Sequence, residues 1–295
     1  MKDPIFKGAA TALITPFSGD RVDFSSFGAI IDSQINAGID ALVVCGTTGE
    51  AATMTDAEQI DTIAFAVGRA GGKVPVIAGA GSNDTEHAAS LCRAAESVGA
   101  DALLVVTPYY NKTSQKGLIK SYTYIADRVS KPMILYNVPS RTGVNIEPAT
   151  YAALADHPNI AAIKEANGNF SKIAETAALV GDKLTLYCGN DDMTVPMLSL
   201  GAAGVISVLS NVLPAETHKM CRLFFDGDIK GSAAMQLKYL PLIHALFSDV
   251  NPVPVKEAMA MLGACEANLR LPLTEMDEDK KEALRRELIN VGVLK

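Results

Sequence analysis

The stretch Ile160-Ala161-Ala162-Ile163-Lys164-Glu165-Ala166 decides how this chain of 295 residues is read. Its first four residues are an unbroken apolar run of strand length, the pattern of a β-strand covered on both faces. A lysine near the end of such a strand is out of place unless something uses or pairs it, because lysine is almost never fully buried alone. Burial disfavours an ammonium ion, and a neutral amine at a strand end is the nucleophile of imine chemistry. A bland alternative stands beside that one. Lys164 could pair with Glu165 or extend its ammonium out of the strand tip.

Working outward, short apolar runs recur at 9–15, 41–46, 74–80, 102–107, 132–138, 160–166, 184–189 and 204–209. Amphipathic or alanine-rich stretches separate them. Most runs are continuous rather than alternating, as expected of a parallel sheet covered by helices. Eight such units in succession predict an α/β fold, a (β/α)8 TIM barrel, in preference to an open doubly wound sheet. Thr55-Asp56-Ala57-Glu58 has capping-box spacing and opens the helix after the second strand. Gly38, Gly99 and Gly201 stand where helices should end. From Pro214 onward the strand pattern stops, and 215–226, 232–247, 255–264 and 277–290 read as helices. The expected organisation is a barrel over residues 1–213 that carries the active site, and a helical appendage over 214–295.

Bulk composition narrows the function classes. The chain is 48% hydrophobic and 20% charged, with a net charge of −7. That balance argues against nucleic acid, whose phosphates need a basic footprint. Cys45, Cys92, Cys188, Cys221 and Cys265 are odd in number, widely spaced and without a CxxC pair, which suggests reduced thiols and a cytoplasmic setting. The start lacks the long apolar core of a secretory signal, and no apolar run is long enough to span a bilayer.

In a barrel, chemistry collects at the carboxyl ends of strands and in the loops that follow. After the second strand comes Gly46-Thr47-Thr48-Gly49-Glu50, a small-anion cradle of hydroxyls and backbone N–H groups. The fourth ends in Thr107-Pro108-Tyr109-Tyr110-Asn111, which places two phenols at the rim. The fifth ends in Tyr136-Asn137-Val138-Pro139-Ser140-Arg141-Thr142-Gly143. Tyr136 is a candidate acid/base, and Arg141 suits bidentate recognition of a carboxylate. Gly189 and Ile206, at the ends of strands seven and eight, could shape the floor.

Other chemistries fit less well. His87, His157, His218 and His244 fall in or beside helices, so a metal-dependent aldolase lacks ligands at the barrel mouth. Asn190-Asp191-Asp192 could offer oxygens, although capping of the next helix is the simpler expectation. No P-loop or dinucleotide fingerprint occurs. Neither a metal nor a cofactor is called for.

Together with Asn251-Pro252-Val253-Pro254-Val255-Lys256, these motifs resemble the dihydrodipicolinate synthases, members of the pyruvate-dependent class I aldolase superfamily. The resemblance runs through essentially the whole chain. It implies a lyase that condenses pyruvate with L-aspartate 4-semialdehyde in the diaminopimelate route to lysine, and a homotetramer built as a dimer of tight dimers. It implies that Lys164 forms the imine and that Tyr136, Thr48 and Tyr110 relay protons, Tyr110 coming from the neighbouring subunit. Thr47 and Thr48 would hold the pyruvate carboxylate, Arg141 the carboxylate of the second substrate, and Gly189 and Ile206 backbone contacts near the imine. Lys256 is expected to be structural.

One departure bears on regulation. Feedback-inhibited members hold lysine between subunits with a serine, histidines and a glutamate. Asn83 and Tyr109 match that set, whereas the remaining positions hold Ala51, Asp56, Gln59 and His87, which implies weak or absent inhibition. Two rival functions remain: a related N-acetylneuraminate lyase or keto-deoxy-sugar-acid aldolase with the same imine chemistry, and a non-catalytic sensor on a borrowed barrel.

Overall fold

A computed structural model describes residues 2–295. Eight parallel strands close into a barrel: β1 (Gly8–Ala12), β2 (Ala41–Val44), β3 (Val76–Gly79), β4 (Ala102–Val106), β5 (Met133–Asn137), β6 (Ile160–Glu165), β7 (Thr185–Cys188) and β8 (Gly204–Ser207). Each pairs with its sequence neighbours, and β8 returns to β1. The closure is tight at Gly204, whose added Cβ would meet the Gly8 carbonyl oxygen at 1.9 Å. Only glycine fits that seam.

The helices α1 (Phe24–Asn36), α2 (Asp56–Ala70), α3 (Thr85–Ser97), α4 (Gln115–Ala126), α5 (Pro148–Leu154), α6 (Phe170–Val180), α7 (Thr194–Ser199) and α8 (Pro214–Phe225) cover the barrel. The capping box at Thr55 forms in full, with Thr55 accepting from the Glu58 amide and the Glu58 carboxylate accepting from the Thr55 amide. Asp84, Ser114 and Asn169 cap α3, α4 and α6 with single side-chain bonds from the His87, Gly117 and Lys172 amides, so polar residues at loop ends fix where these helices begin. Helix α8 packs against β1, and α9 (Ile229–Leu246) packs on α8. The last helices, α10 (Val253–Met261) and α11 (Glu278–Asn290), pack on each other and on α9.

Strand periodicity sorts the side chains into two cores. Ala10, Val43, Leu104, Ile134, Ala162 and Ile206 fill the barrel interior. Leu42, Val105, Leu135 and Ile163 face the helices. On β6 the period of two places Lys164 with Ala162 on the interior face, and Glu165 with Ile163 on the helix face. The parallel register sets Lys164 beside Tyr136 of β5 and Tyr187 of β7.

The appendage is tied to the barrel by a buried ion pair. Lys256 of α10 bonds Glu50 of the loop after β2, and both side chains are fully buried. The Lys256 ammonium also sits 4.1 Å from the Phe17 ring centroid, and the Arg270 amide donates to the second Glu50 oxygen at 3.3 Å. Burial draws the Lys256 ammonium below its ordinary pKa, while Glu50 pulls it back up.

One expectation fails here. Asn190 makes no side-chain cap, and the Asp191 carboxylate does not cap the helical turn it opens. It crosses instead to the end of β8, where one oxygen accepts from the Val208 and Leu209 amides at 2.9 and 3.0 Å. Two orphan amides of a strand-to-helix turn outcompeted the local cap.

Candidate active site

Lys164 is 7% exposed, and its ammonium lies 4.3 Å from the centroid of the Tyr136 ring. Among the described residues no carboxylate stands within ion-pair distance of it. Glu165 points the other way, away from the barrel interior. It accepts from the Asn137 side-chain amide at 3.0 Å, the Tyr151 hydroxyl at 3.0 Å and the Asn167 amide at 2.9 Å. Burial pushes the Glu165 carboxyl up to about 7, against the pull of those donors. The Lys164–Glu165 pairing that the sequence left open is therefore not made, because adjacent strand residues face opposite sides.

Above Lys164 opens a cavity of about 210 Å³, lined by Lys164, Tyr136, Thr47, Thr48, Arg141 and Gly189, and also by Asn251. Four strand ends supply these groups, and Asn251 comes from the segment between α9 and α10. The loop after β2 is bent by left-handed backbone at Cys45 (φ 54°) and Glu50 (φ 56°), which folds Thr47 and Thr48 over the barrel mouth. Thr48 is 3% exposed, and its hydroxyl accepts from the Asn251 side-chain amide at 3.0 Å. Thr47 is exposed. It lines both the inner cavity and an outer one of about 380 Å³. Arg141 sits in the helical turn Pro139–Thr142, which proline starts, and donates to the Asn251 carbonyl at 2.9 Å.

Two expected residues stand apart from this group. Ile206 is buried in the barrel interior and lines neither cavity with its side chain. Tyr110 is 91% exposed in left-handed backbone (φ 69°) and also lines neither. Its neighbour Tyr109 joins Gln59 and Ala51 in the outer cavity, where the His87 ring bridges the Asp56 carboxylate at 3.0 Å and the Ser82 hydroxyl at 3.1 Å. Among the described residues no group of three or more His, Cys, Asp or Glu side chains could hold a metal ion.

Asn251 went unpredicted. It lies in the quoted Asn251–Lys256 motif, but nothing in that local pattern shows that the motif folds back over the mouth. Its second contact makes it more than a spacer, since it touches both a threonine of the cradle and the rim arginine.

Comparison with known proteins agrees with this architecture. Residues 5–290 match the model of the dihydrodipicolinate synthetase family. The chain is 53% identical to a 4-hydroxy-tetrahydrodipicolinate synthase of Caldicellulosiruptor saccharolyticus, over 98% of each chain. It superposes on a dihydrodipicolinate synthase crystal structure from Thermotoga maritima with a TM-score of 0.97 at 41% identity, covering 99% of this chain and all of that one. A structure described as a monomeric dihydrodipicolinate synthase variant gives a TM-score of 0.97 at 42% identity, over 98% of both chains. The chain belongs to the dihydrodipicolinate synthetase family.

Proposed function

We propose that this enzyme is a lyase that condenses pyruvate with L-aspartate 4-semialdehyde at Lys164, giving 4-hydroxy-tetrahydrodipicolinate for lysine biosynthesis. The observation that carries the mechanism is a buried lysine without a carboxylate partner, at the carboxyl end of β6, facing a cavity that also holds Tyr136 and two threonines. The Lys164 amine adds to the pyruvate ketone. The carbinolamine takes up a proton and loses water to become a cationic imine. That cation acidifies the methyl group, whose proton leaves to give an enamine. The enamine carbon forms a bond to the aldehyde carbon, and the resulting alkoxide is protonated. The amine of the second substrate then adds to the imine carbon, closing the ring and expelling Lys164.

The family resemblance implies Tyr136, Thr48 and Tyr110 as the relay for these protons, and the two threonines differ in burial and contacts. The Thr48 hydroxyl is buried and held by Asn251, an arrangement suited to fixed recognition of the pyruvate carboxylate. Thr47, exposed and bordering both cavities, is the threonine from which a proton can cross to the rim, so we assign it the relay place first given to Thr48. Arg141 binds the carboxylate of the semialdehyde, and Gly189 and Ile206 keep the backbone close to the imine. An added Cβ at Gly189 would reach the Lys164 Cε at 3.2 Å.

The exposure of Tyr110 supports completion of the site by a second subunit, within a homotetramer of tight dimers. The helix Pro214–Phe225 completes the barrel beyond the boundary at 213 expected from the sequence, and the barrel and the helices after it then share one site, because Asn251 reaches back to Thr48. No described helix is long and apolar enough to cross a membrane, and cytoplasmic location accords with five unpaired cysteines. Turnover of pyruvate with L-aspartate semialdehyde, N-acetylmannosamine and a sugar-derived aldehyde tests the reaction. Preference for the semialdehyde, abolished in Lys164→Ala, supports it; preference for a sugar aldehyde overturns the assignment of Arg141.

A further inference from the structure

The ends of β7 and β8 meet around a carboxylate for which the condensation chemistry has no stated use. Asp191 is 3% exposed and two residues beyond Gly189, where an added Cβ would reach the Lys164 Cε at 3.2 Å. Its Oδ2 accepts from the Val208 and Leu209 amides, and Val208 lines the inner cavity with Lys164. Its backbone carbonyl is held in turn by the Gln236 side-chain amide of α9 at 2.9 Å. The other carboxylate oxygen, Oδ1, is buried without a hydrogen-bond partner. A buried carboxylate with an unsatisfied oxygen is costly unless a charge compensates it. A buried ammonium with no ion-pair partner, Lys164, stands on the cavity side of the same wall.

We propose that Asp191 is a positioning residue that clips the ends of β7 and β8 together and supplies the buried negative charge that balances the cationic imine on Lys164. The clip fixes the two strand ends that carry Gly189 and Ile206. Burial raises the pKa of the Asp191 carboxyl, whereas the Val208 and Leu209 amides, Ser207 and the positive charge of Lys164 favour its ionised form. The two charges stabilise each other through the wall without touching. An iminium carries a positive charge at the Lys164 nitrogen, so the carboxylate favours it over the neutral carbinolamine that precedes it. A purely structural Asp191 would need only its two amide contacts.

The inference rests on the imine reading of Lys164, and its test separates the two. Asp191→Asn keeps an acceptor for the amides and removes the charge. At saturating pyruvate its initial rate of cyanoborohydride trapping at Lys164 should fall about tenfold, and kcat should fall with it. A folded Asp191→Asn protein that traps pyruvate at the unaltered rate overturns the proposal.

A second measurement needs no turnover. In Lys164→Met a buried cation gives way to an apolar side chain, a change that is neutral or stabilising when no counter-charge is stranded. With Asp191 as that counter-charge, Tm should instead drop by at least ~3 °C, and adding Asp191→Asn should cost less than it does in the wild type. A Lys164→Met protein as stable as the wild type, or additive effects in the double variant, would overturn the proposal even if imine trapping succeeds. This arm holds if Asp191→Asn alone is too unstable to purify, since Lys164→Met by itself reads the coupling.

Discussion

The Asn251 side-chain amide donates to the Thr48 hydroxyl at 3.0 Å, and the Asn251 carbonyl accepts from Arg141 at 2.9 Å. One residue from the segment between α9 and α10 thereby holds both recognition groups, on loops that follow β2 and β5. Asn251→Ala removes the side-chain contact to Thr48 and keeps the backbone carbonyl that holds Arg141, so it should raise KM for pyruvate and leave KM for the semialdehyde little changed, with kcat/KM for pyruvate lower by about tenfold, the equivalent of one lost oriented contact. Steady-state kinetics with each substrate varied separately checks this. An equal rise in KM for the semialdehyde would show that the Asn251 side chain also orients Arg141.

The two threonines should part company kinetically. Thr48→Val removes the hydroxyl that Asn251 orients, so the main loss should appear in KM for pyruvate. Thr47→Val removes the exposed hydroxyl, so the main loss should appear in kcat, by about 10²–10⁴-fold as for other positioned proton carriers. The reverse pattern would return the relay to Thr48.

Lys256 and Glu50 join the appendage to the strained loop that carries those threonines. Lys256→Met leaves Glu50 buried without its cation and should destabilise the protein by about 3–5 kcal/mol. Glu50→Gln strands the ammonium instead and should cost a comparable amount. Chemical denaturation measures both. If either variant unfolds like the wild type, the pair does not anchor the appendage.

Glu165 gives stability a pH dependence of definite sign. Its folded-state pKa, raised by burial from 4.5 to about 7, exceeds the unfolded value, so the folded state holds its proton more tightly. Its stabilising contribution is complete below pH ~4.5 and is lost as pH rises toward 7, by about 3 kcal/mol in all. Glu165→Gln cannot titrate and should flatten that part of the stability profile between pH 5 and 7. An unchanged slope would mean that the carboxyl stays ionised throughout.

The outer cavity predicts weak response to lysine. His87, Asp56 and Ser82 already satisfy one another there, and Ala51 offers no hydroxyl. A ligand ammonium would have to displace a formed His87–Asp56 contact. Turnover should be little changed by millimolar lysine; half-maximal inhibition at sub-millimolar lysine would contradict this.

The barrel was legible because each of its strands is a compact apolar run, and because the period of two along β6 needs only local sequence. The same period assigns Lys164 inward and Glu165 outward once the interior is known. Asn251 and Asp191 were not legible, since their partners lie 203 and 17 positions away and are set by tertiary folding. Asp191 was expected to cap its own helix, the local solution, but the amides at the end of β8 offered it two bonds. Tyr110, expected at the rim from its strand end, is 91% exposed and lines neither cavity.

The most direct test of the imine at Lys164 is reduction of the enzyme with borohydride in the presence of pyruvate, followed by peptide mass mapping. A single pyruvate-derived adduct on Lys164, absent from Lys164→Ala, is the result expected. An unmodified Lys164 in an enzyme that still turns over pyruvate, or an adduct on another lysine, would contradict the mechanism.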